Sequence, residues 1–173
     1  LSDSMRSSMS EVRALTKVLR NNIDGINDGM SFGTTTKPTS FAQLISEEEE
    51  RLSRLNRSPV VEVTGEEFAP EFPQAILDSI AAITTEACLN AVKYSPPGAE
   101  IVISVQPHMG WTVITITNPV AKPTSKNIEM SSGIGMSSMN RIAATIDARL
   151  DTELESGKWE LILSLPPSAH KRR

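Results

Sequence analysis

An α/β domain behind a helical connector is the fold class that the sequence predicts, and three observations carry it. Short β-branched or alternating runs at Pro59–Thr64, Ile101–Val105, Trp111–Thr117, Arg149–Leu154 and Trp159–Leu165 alternate with stretches of helical period. The longest such stretch, Gln74 to Tyr94, lies between the prolines at 70 and 73 and Pro96-Pro97-Gly98. Proline frames a helix because it lacks an amide proton and restricts the residue before it. Ahead of the domain, Met5, Val12, Leu19 and Ile26 recur at sevens and give way to a Gly-, Thr-, Ser- and Pro-rich stretch from Asn27 to Ser40. That is the pattern of a helix followed by a linker.

The predicted layout is a connector over 1–30, a linker and leading helix over 31–57, the main domain over 58–166 and a disordered tail over 167–173. In 173 residues there is room for one domain and an appendage. A net charge of −4 gives no general attraction to nucleic acid, and only the tail His170-Lys-Arg-Arg173 is locally basic. Cys88 is the single cysteine, which excludes an intrachain disulfide and a cysteine-cluster metal site and suits a reducing, cytoplasmic setting. No uninterrupted apolar run approaches the roughly 20 residues of a membrane span, and the N-terminus lacks a signal-peptide pattern. Because the chain starts at Leu1, within a helical pattern, it is expected to be part of a longer parent protein. Membrane anchoring of that parent is left open.

In the connector, Met9, Leu15 and Ile23 fill a second, less regular apolar position, so a coiled coil and a bundle helix both fit. Either would make a helical dimerisation or connector element. Ser40 followed by Gln43 has the form of a capping box and starts a helix through Phe41, Leu44 and Ile45 to about Leu55, with Glu47 to Glu50 as its solvated face. A strand from Pro59 to Thr64 ends at Gly65. Within Gln74–Tyr94, Ile76, Ile80, Ile83, Ala87 and Ala91 make one apolar stripe suited to packing on a sheet. The runs at 101–105 and 111–117 read as a hairpin around Gln106–Gly110, with His108 in the turn as an exposed loop residue. Asn118-Pro119 ends the second strand. The loop from Val120 to Ser132, carrying Lys122, Pro123 and Lys126, is long for a connection in a compact domain and reads as a lid. Gly133-Ile-Gly135 then opens a helix through Met136, Met139, Ile142, Ala143 and Ile146, and two last strands flank Ser156-Gly157.

Chemistry enters through two polar features. Glu86, Asn90 and Lys93, spaced by four and three, share a helix face about 60° wide. Alone, they also match an ordinary solvated face. Gly133 and Gly135 at a helix start leave backbone amides free to approach an anion, where the helix dipole favours negative charge. Alone, they also match an ordinary helix start. Together they supply an amide oxygen for Mg²⁺, an ammonium for phosphate and a carboxylate for a proton or a metal-bound water. Those are the parts of a nucleoside-triphosphate pocket roofed by the lid.

Glu86-x-x-x-Asn90-x-x-Lys93-Tyr94, followed by a hairpin, a lid and Gly133-Ile-Gly135-Met136, resembles the N box and second glycine box of the GHKL (Bergerat) ATP-binding fold. Order and spacing are most similar to the catalytic domain of sensor histidine kinases of the NarL or DesK type, over about Ser58 to Pro166, with Arg141 on the helix after the glycine box. Ser10–Arg20 is similar to the end of the second helix of the dimerisation and phosphoacceptor hairpin. The resemblance implies a two-layer α/β sandwich, a mixed sheet with helices on one face, binding ATP and Mg²⁺ between the long helix and the lid. It implies Glu86 and Asn90 as the catalytic pair, Asn90 as the Mg²⁺ ligand, and Lys93, Tyr94, Asn118, Gly133, Gly135 and Met136 as nucleotide-binding positions. The implied activity is γ-phosphoryl transfer to a histidine outside this chain, on a dimerisation helix of the parent protein, and thence to a response regulator. A homodimer through the N-terminal helix is implied as well. A degenerate GHKL module acting as a sensory or dimerisation scaffold, and an anti-sigma-factor serine kinase, are the alternatives.

Three departures stand out. Asn118-Pro-Val120 occupies the place of Asp-x-Gly, so a neutral amide would meet the adenine amino group. The Thr often present before the last strand is replaced around Gly157-Lys-Trp159, and no histidine precedes His108.

Overall fold

Two parallel neighbouring strands cannot be joined by a tight turn; the chain must cross over, usually through a helix. That requirement sets this architecture. The computed structural model describes residues 37–64, 70–120 and 134–170. The connector helix, most of the linker, the lid from residue 121, Gly133 and the last three residues lie outside them. The elements in order are α1 (Phe41–Arg54), β1 (Ser58–Val63), α2 (Gln74–Tyr94), β2 (Glu100–His108), β3 (Trp111–Pro119), α3 (Ile134–Thr145), β4 (Arg149–Glu155) and β5 (Lys158–Leu165). The sheet order is β1-β2-β3-β5-β4, with β1 parallel to β2 and every other pair antiparallel. The parallel pair is spanned by α2.

Alternation along the strands shows which face is covered. In β3 every second residue from Thr112 to Asn118 is buried, and Ile101, Ile103 and Val105 of β2 and Leu161, Leu163 and Leu165 of β5 match them. The helices pack on that side, α2 over β3 and against both α1 and α3. This is the mixed α/β sandwich expected, with helices on one face. The stripe on α2 holds, since Ile80, Ile83, Ala87 and Ala91 are fully buried and Ile76 packs against the core. Both hairpins turn on two residues of positive φ, Met109-Gly110 (49° and 82°) and Ser156-Gly157 (52° and 76°), the pattern that matches strand twist.

Several local expectations need correction. The first hairpin turn is shorter than Gln106–Gly110: His108 sits in β2, paired with Trp111. Asn118-Pro119 does end the strand, but from within it: the two are the last residues of β3, paired with Trp159 and Lys158. Ser40 caps α1 by accepting from the Gln43 amide at 3.1 Å, yet Gln43 Oε1 reaches past Ser40 to the amide and hydroxyl of Thr39, each at 2.9 Å. Rather than merely leading into the domain, α1 belongs to it, because Phe41, Leu44, Ile45 and Leu52 join the common core. The expected disordered tail is ordered through His170. Pro167–Ala169 forms a 3-10 turn, Ala169 is buried, and the His170 ring packs 4.9 Å from Phe72 with its Nε2 3.1 Å from Thr112 Oγ1.

The solvated face assigned to Glu47–Glu50 is also corrected, because Glu48 is 3% exposed and occupies the stripe of Leu44 and Leu52. Its Oε1 accepts from Thr85 Oγ1 of α2 at 2.6 Å, Arg51 Nη2 lies 3.6 Å away, and Oε2 is buried without a partner. Burial pushes this carboxyl's pKa up, and the Thr85 bond and the Arg51 charge only partly oppose it. Buried Cys88 has its thiol pushed up too, by burial first and by the Glu48 charge second. The folded state therefore keeps a proton on Glu48 to higher pH than the unfolded chain does. Stability falls as pH rises from the ordinary value of 4.5 through the raised one, then levels. Glu48→Gln keeps the acceptor for Thr85 and removes the charge. Denaturant unfolding is expected to find the variant gaining stability relative to the parent as pH rises through that window, with the difference shrinking toward acid. A gap that stays constant between about pH 4 and pH 8 contradicts this.

Candidate functional site

One end of the sheet collects the residues that the motifs single out. Because β2 begins where β3 finishes, Asn118 lies beside the start of β2, at Glu100, and α2 ends just before it at Tyr94. Backbone bonds tie this end together, with the Gly98 amide donating to Asn56 O and the Ser58 amide to Ala99 O, both at 3.0 Å. The last turns of α2 and the end of β3 thus occupy the same end of the domain.

α3 meets α2 at its first turn. A β-carbon built on Gly135 would stand 2.6 Å from Glu86 Oε1, closer than real side chains come, and 3.7 Å from Asn90 Nδ2. A side chain there would have to displace the Glu86 carboxylate, and the bare Cα of glycine lets the start of α3 lie against the Glu86 and Asn90 side chains as they stand. The structure brings Gly135 against Asn90 and Glu86, residues of the other motif that lie 45 and 49 positions earlier. Glu86 and Asn90 are half-buried and Lys93 is exposed. Lys93 carries its ammonium 5.1 Å from the centre of the Tyr94 ring, a cation–π contact worth about 0.5–1 kcal/mol at an exposed site. Met136 packs against the core, and Arg141 is exposed. Gly133 lies outside the described residues.

Asn118 lies on the helix-covered face, 1% exposed. Its Nδ2 donates to Pro119 O at 3.0 Å while Oδ1 is buried with no partner. Turning the amide over would set two carbonyl oxygens against each other, so Pro119 fixes Oδ1 as the free acceptor. Leaving such an acceptor unpaired costs about 1–3 kcal/mol, which a donor arriving from outside the chain would recover. This orphaned oxygen and the close approach at Gly135 both fit a nucleotide whose base presents an amine and whose phosphates lie at a helix start. A separate shallow depression on the open sheet face, lined by Thr117, Glu153, Glu155, Ser156, Lys158 and Glu160, shares no residue with this site.

Two features escaped the sequence reading. Glu48 could have been found, since its spacing of four from Leu44 and Leu52 places it in the core stripe. Arg57 could not. Its guanidinium reaches Val92 and Ser95 across 35 and 38 positions, and no local pattern announces that.

No protein-family model matches the chain, and no curated protein does. Solved structures do. The catalytic domain of the histidine kinase ThkA is similar with a TM-score of 0.55 at 16% identity, over 74% of this chain and 94% of that one. The Acinetobacter baumannii histidine kinase AdeS gives 0.58 at 14%, over 94% and 83%. The histidine kinase domain of an Erythrobacter litoralis blue-light-activated kinase gives 0.60 at 13%, over 83% and 68%. At these identities the likeness shows the fold, an α/β sandwich shared with histidine kinase catalytic domains.

The contact at Gly135 separates stability from binding. In Gly135→Ala the new methyl meets the end of a flexible glutamate, which can swing away, and alanine gains up to about 1 kcal/mol over glycine within a helix. The melting temperature is expected at or above that of the parent chain. If the site takes magnesium-ATP, that affinity is expected to fall about tenfold or more as Glu86 leaves its place. Unchanged affinity by calorimetry would remove Gly135 from the site.

Proposed function

We propose that this chain is the ATP-binding catalytic part of a two-component sensor histidine kinase of the NarL or DesK type. The observation that carries the proposal is the packing of the Gly135 turn against Glu86 and Asn90, which joins the two motifs at one place. In this reading Asn90 offers an amide oxygen, a hard ligand suited to Mg²⁺. The Glu86 carboxylate holds a proton or a metal-bound water, Lys93 meets phosphate oxygens, and the amides at the start of α3 face negative charge. Asn118 Oδ1 accepts from the exocyclic amine of adenine. When bound, ATP supplies the γ-phosphoryl group, which passes to an imidazole nitrogen of a histidine on the parent's dimerisation helix and then to a response regulator aspartate. A homodimer through the N-terminal helix and a cytoplasmic location belong to the same reading.

A second reading is a GHKL module that binds nucleotide weakly and acts as a scaffold. The neutral amide of Asn118, in place of a carboxylate, favours it.

Titration with a fluorescent ATP analogue, with and without Mg²⁺, tests the first reading. Binding is expected to depend on Mg²⁺, and Asn90→Ala is expected to abolish that dependence; equal binding by parent and variant would count against it. Base recognition has its own signature. A purine triphosphate lacking the exocyclic amine is expected to bind about tenfold more weakly than ATP, the worth of one hydrogen bond. In Asn118→Ala that preference is expected to vanish.

A further inference from the structure

The last turn of α2 has a holder that no motif contains. A helix ends with carbonyls that lack amide partners. At the end of α2 the Ser95 amide serves Ala91 O at 3.0 Å, which leaves Val92 O to be satisfied from elsewhere. Arg57, on the turn between α1 and β1, satisfies it. Its Nη2 donates to Val92 O at 2.7 Å and to Ser95 O at 3.4 Å, and Nε donates to Ser95 Oγ at 3.0 Å. From the same group Nη1 donates to Leu55 O at 3.2 Å and Asn56 O at 3.0 Å, at the end of α1. One cation thus sits at the C-terminal, negative ends of two helices, with planar donors that fork between them. The Ser95 side is buried.

We propose that Arg57 is a positioning residue for the nucleotide site, fixing the last turn of α2 and through it Asn90 and Lys93 relative to the sheet. The inference rests on the nucleotide reading above. The geometry gives it specific content. Val92 adjoins Lys93 and lies two positions from Asn90, whereas Asn118 is held by β3 and by its own bond to Pro119. Loss of the clamp frees the metal and phosphate wall and leaves the base-reading wall in place. Lysine is a poor replacement, because one ammonium on a flexible stem cannot hold Val92 O, Ser95 Oγ and the α1 carbonyls together.

The test compares the parent chain with Arg57→Gln, Arg57→Lys and the milder Ser95→Ala, which removes only the hydroxyl acceptor. Calorimetry with magnesium-ATP and with adenosine reads the site, and amide hydrogen exchange at Ser95 reads the clamp. For Arg57→Gln, magnesium-ATP affinity is expected to drop about tenfold while adenosine affinity stays within about twofold. Arg57→Lys should recover little, Ser95→Ala should shift the same ratio by about twofold to threefold, and exchange at Ser95 should quicken in all three. Equal weakening of both ligands means general loosening and overturns the proposal, as does parent-like behaviour of Arg57→Gln or full recovery by Arg57→Lys. Should Arg57→Gln not fold, Ser95→Ala decides alone, and an unchanged affinity ratio overturns the proposal. If the parent binds neither ligand, the nucleotide reading fails and positioning of a nucleotide site fails with it. Quickened exchange in the variants would then still register the clamp as a purely structural one.

Discussion

The crossover helix α2 has to satisfy two demands at once, and much of the domain is arranged around the way it does so. Its apolar stripe must fill the space between the sheet and the helices on either side, each buried isoleucine contributing about 1.5–3 kcal/mol. The stripe changes character along the helix, from Ile76, Ile80 and Ile83 to Ala87 and Ala91. Small residues let packed elements approach more closely. The narrowing comes at the end where Glu86 and Asn90 project, and there Gly135 lets the start of α3 close in as well. Removal of side-chain bulk from both partners brings the polar groups of α2 within reach of a helix N-terminus.

Polar groups are handled in three ways. Glu48 takes the desolvation penalty in part by keeping a proton and in part by sharing Thr85's hydroxyl, which ties α1 to the residue preceding Glu86. Arg57 keeps its charge at low cost, because its donors meet carbonyls that two helix ends would otherwise leave open. Asn118 leaves one acceptor unpaired. Among these, only Asn118 has an unmet need facing the helix-covered side at the motif end of the sheet. A structural role explains Arg57 fully and the Glu48 oxygen that meets Thr85, while Glu48 Oε2 stays unpartnered in the core and the Asn118 acceptor stays unpartnered beside the motifs.

Much of this fold was legible because long-period and period-2 patterns are local. The stripe from Ile76 to Ala91 and the alternation in β3 and β5 report directly which side is buried. The two motifs were legible as chemistry since their spacing puts chosen groups on one helix face and at one helix start. The less legible features depended on contacts distant in sequence. His170 is held by Phe72 and Thr112, so a tail of polar composition is ordered through that residue. Pro119 stays in β3 because β5 pairs with it, although proline marked a break by composition. For Glu48 the run of four glutamates outweighed its place in the stripe, and the partner that makes burial tolerable, Thr85, lies 37 residues on.

The neutral residue at 118 is best understood as a trade between folding and binding. A carboxylate at a position 1% exposed, beside the Pro119 carbonyl, would lose its hydration and face a second oxygen, so its pKa would rise and the unliganded domain would be destabilised. An amide avoids both, since it spends its donor on that carbonyl and keeps one acceptor free. The cost appears on binding, because a hydrogen bond to a neutral acceptor is roughly half as strong as one to an ionised acceptor. Under the proposed reading, a domain built this way would hold its base-reading wall without a counter-charge and grip a nucleotide more loosely, which would place more of the binding energy on the Mg²⁺ and phosphate side offered by Asn90, Lys93 and the start of α3.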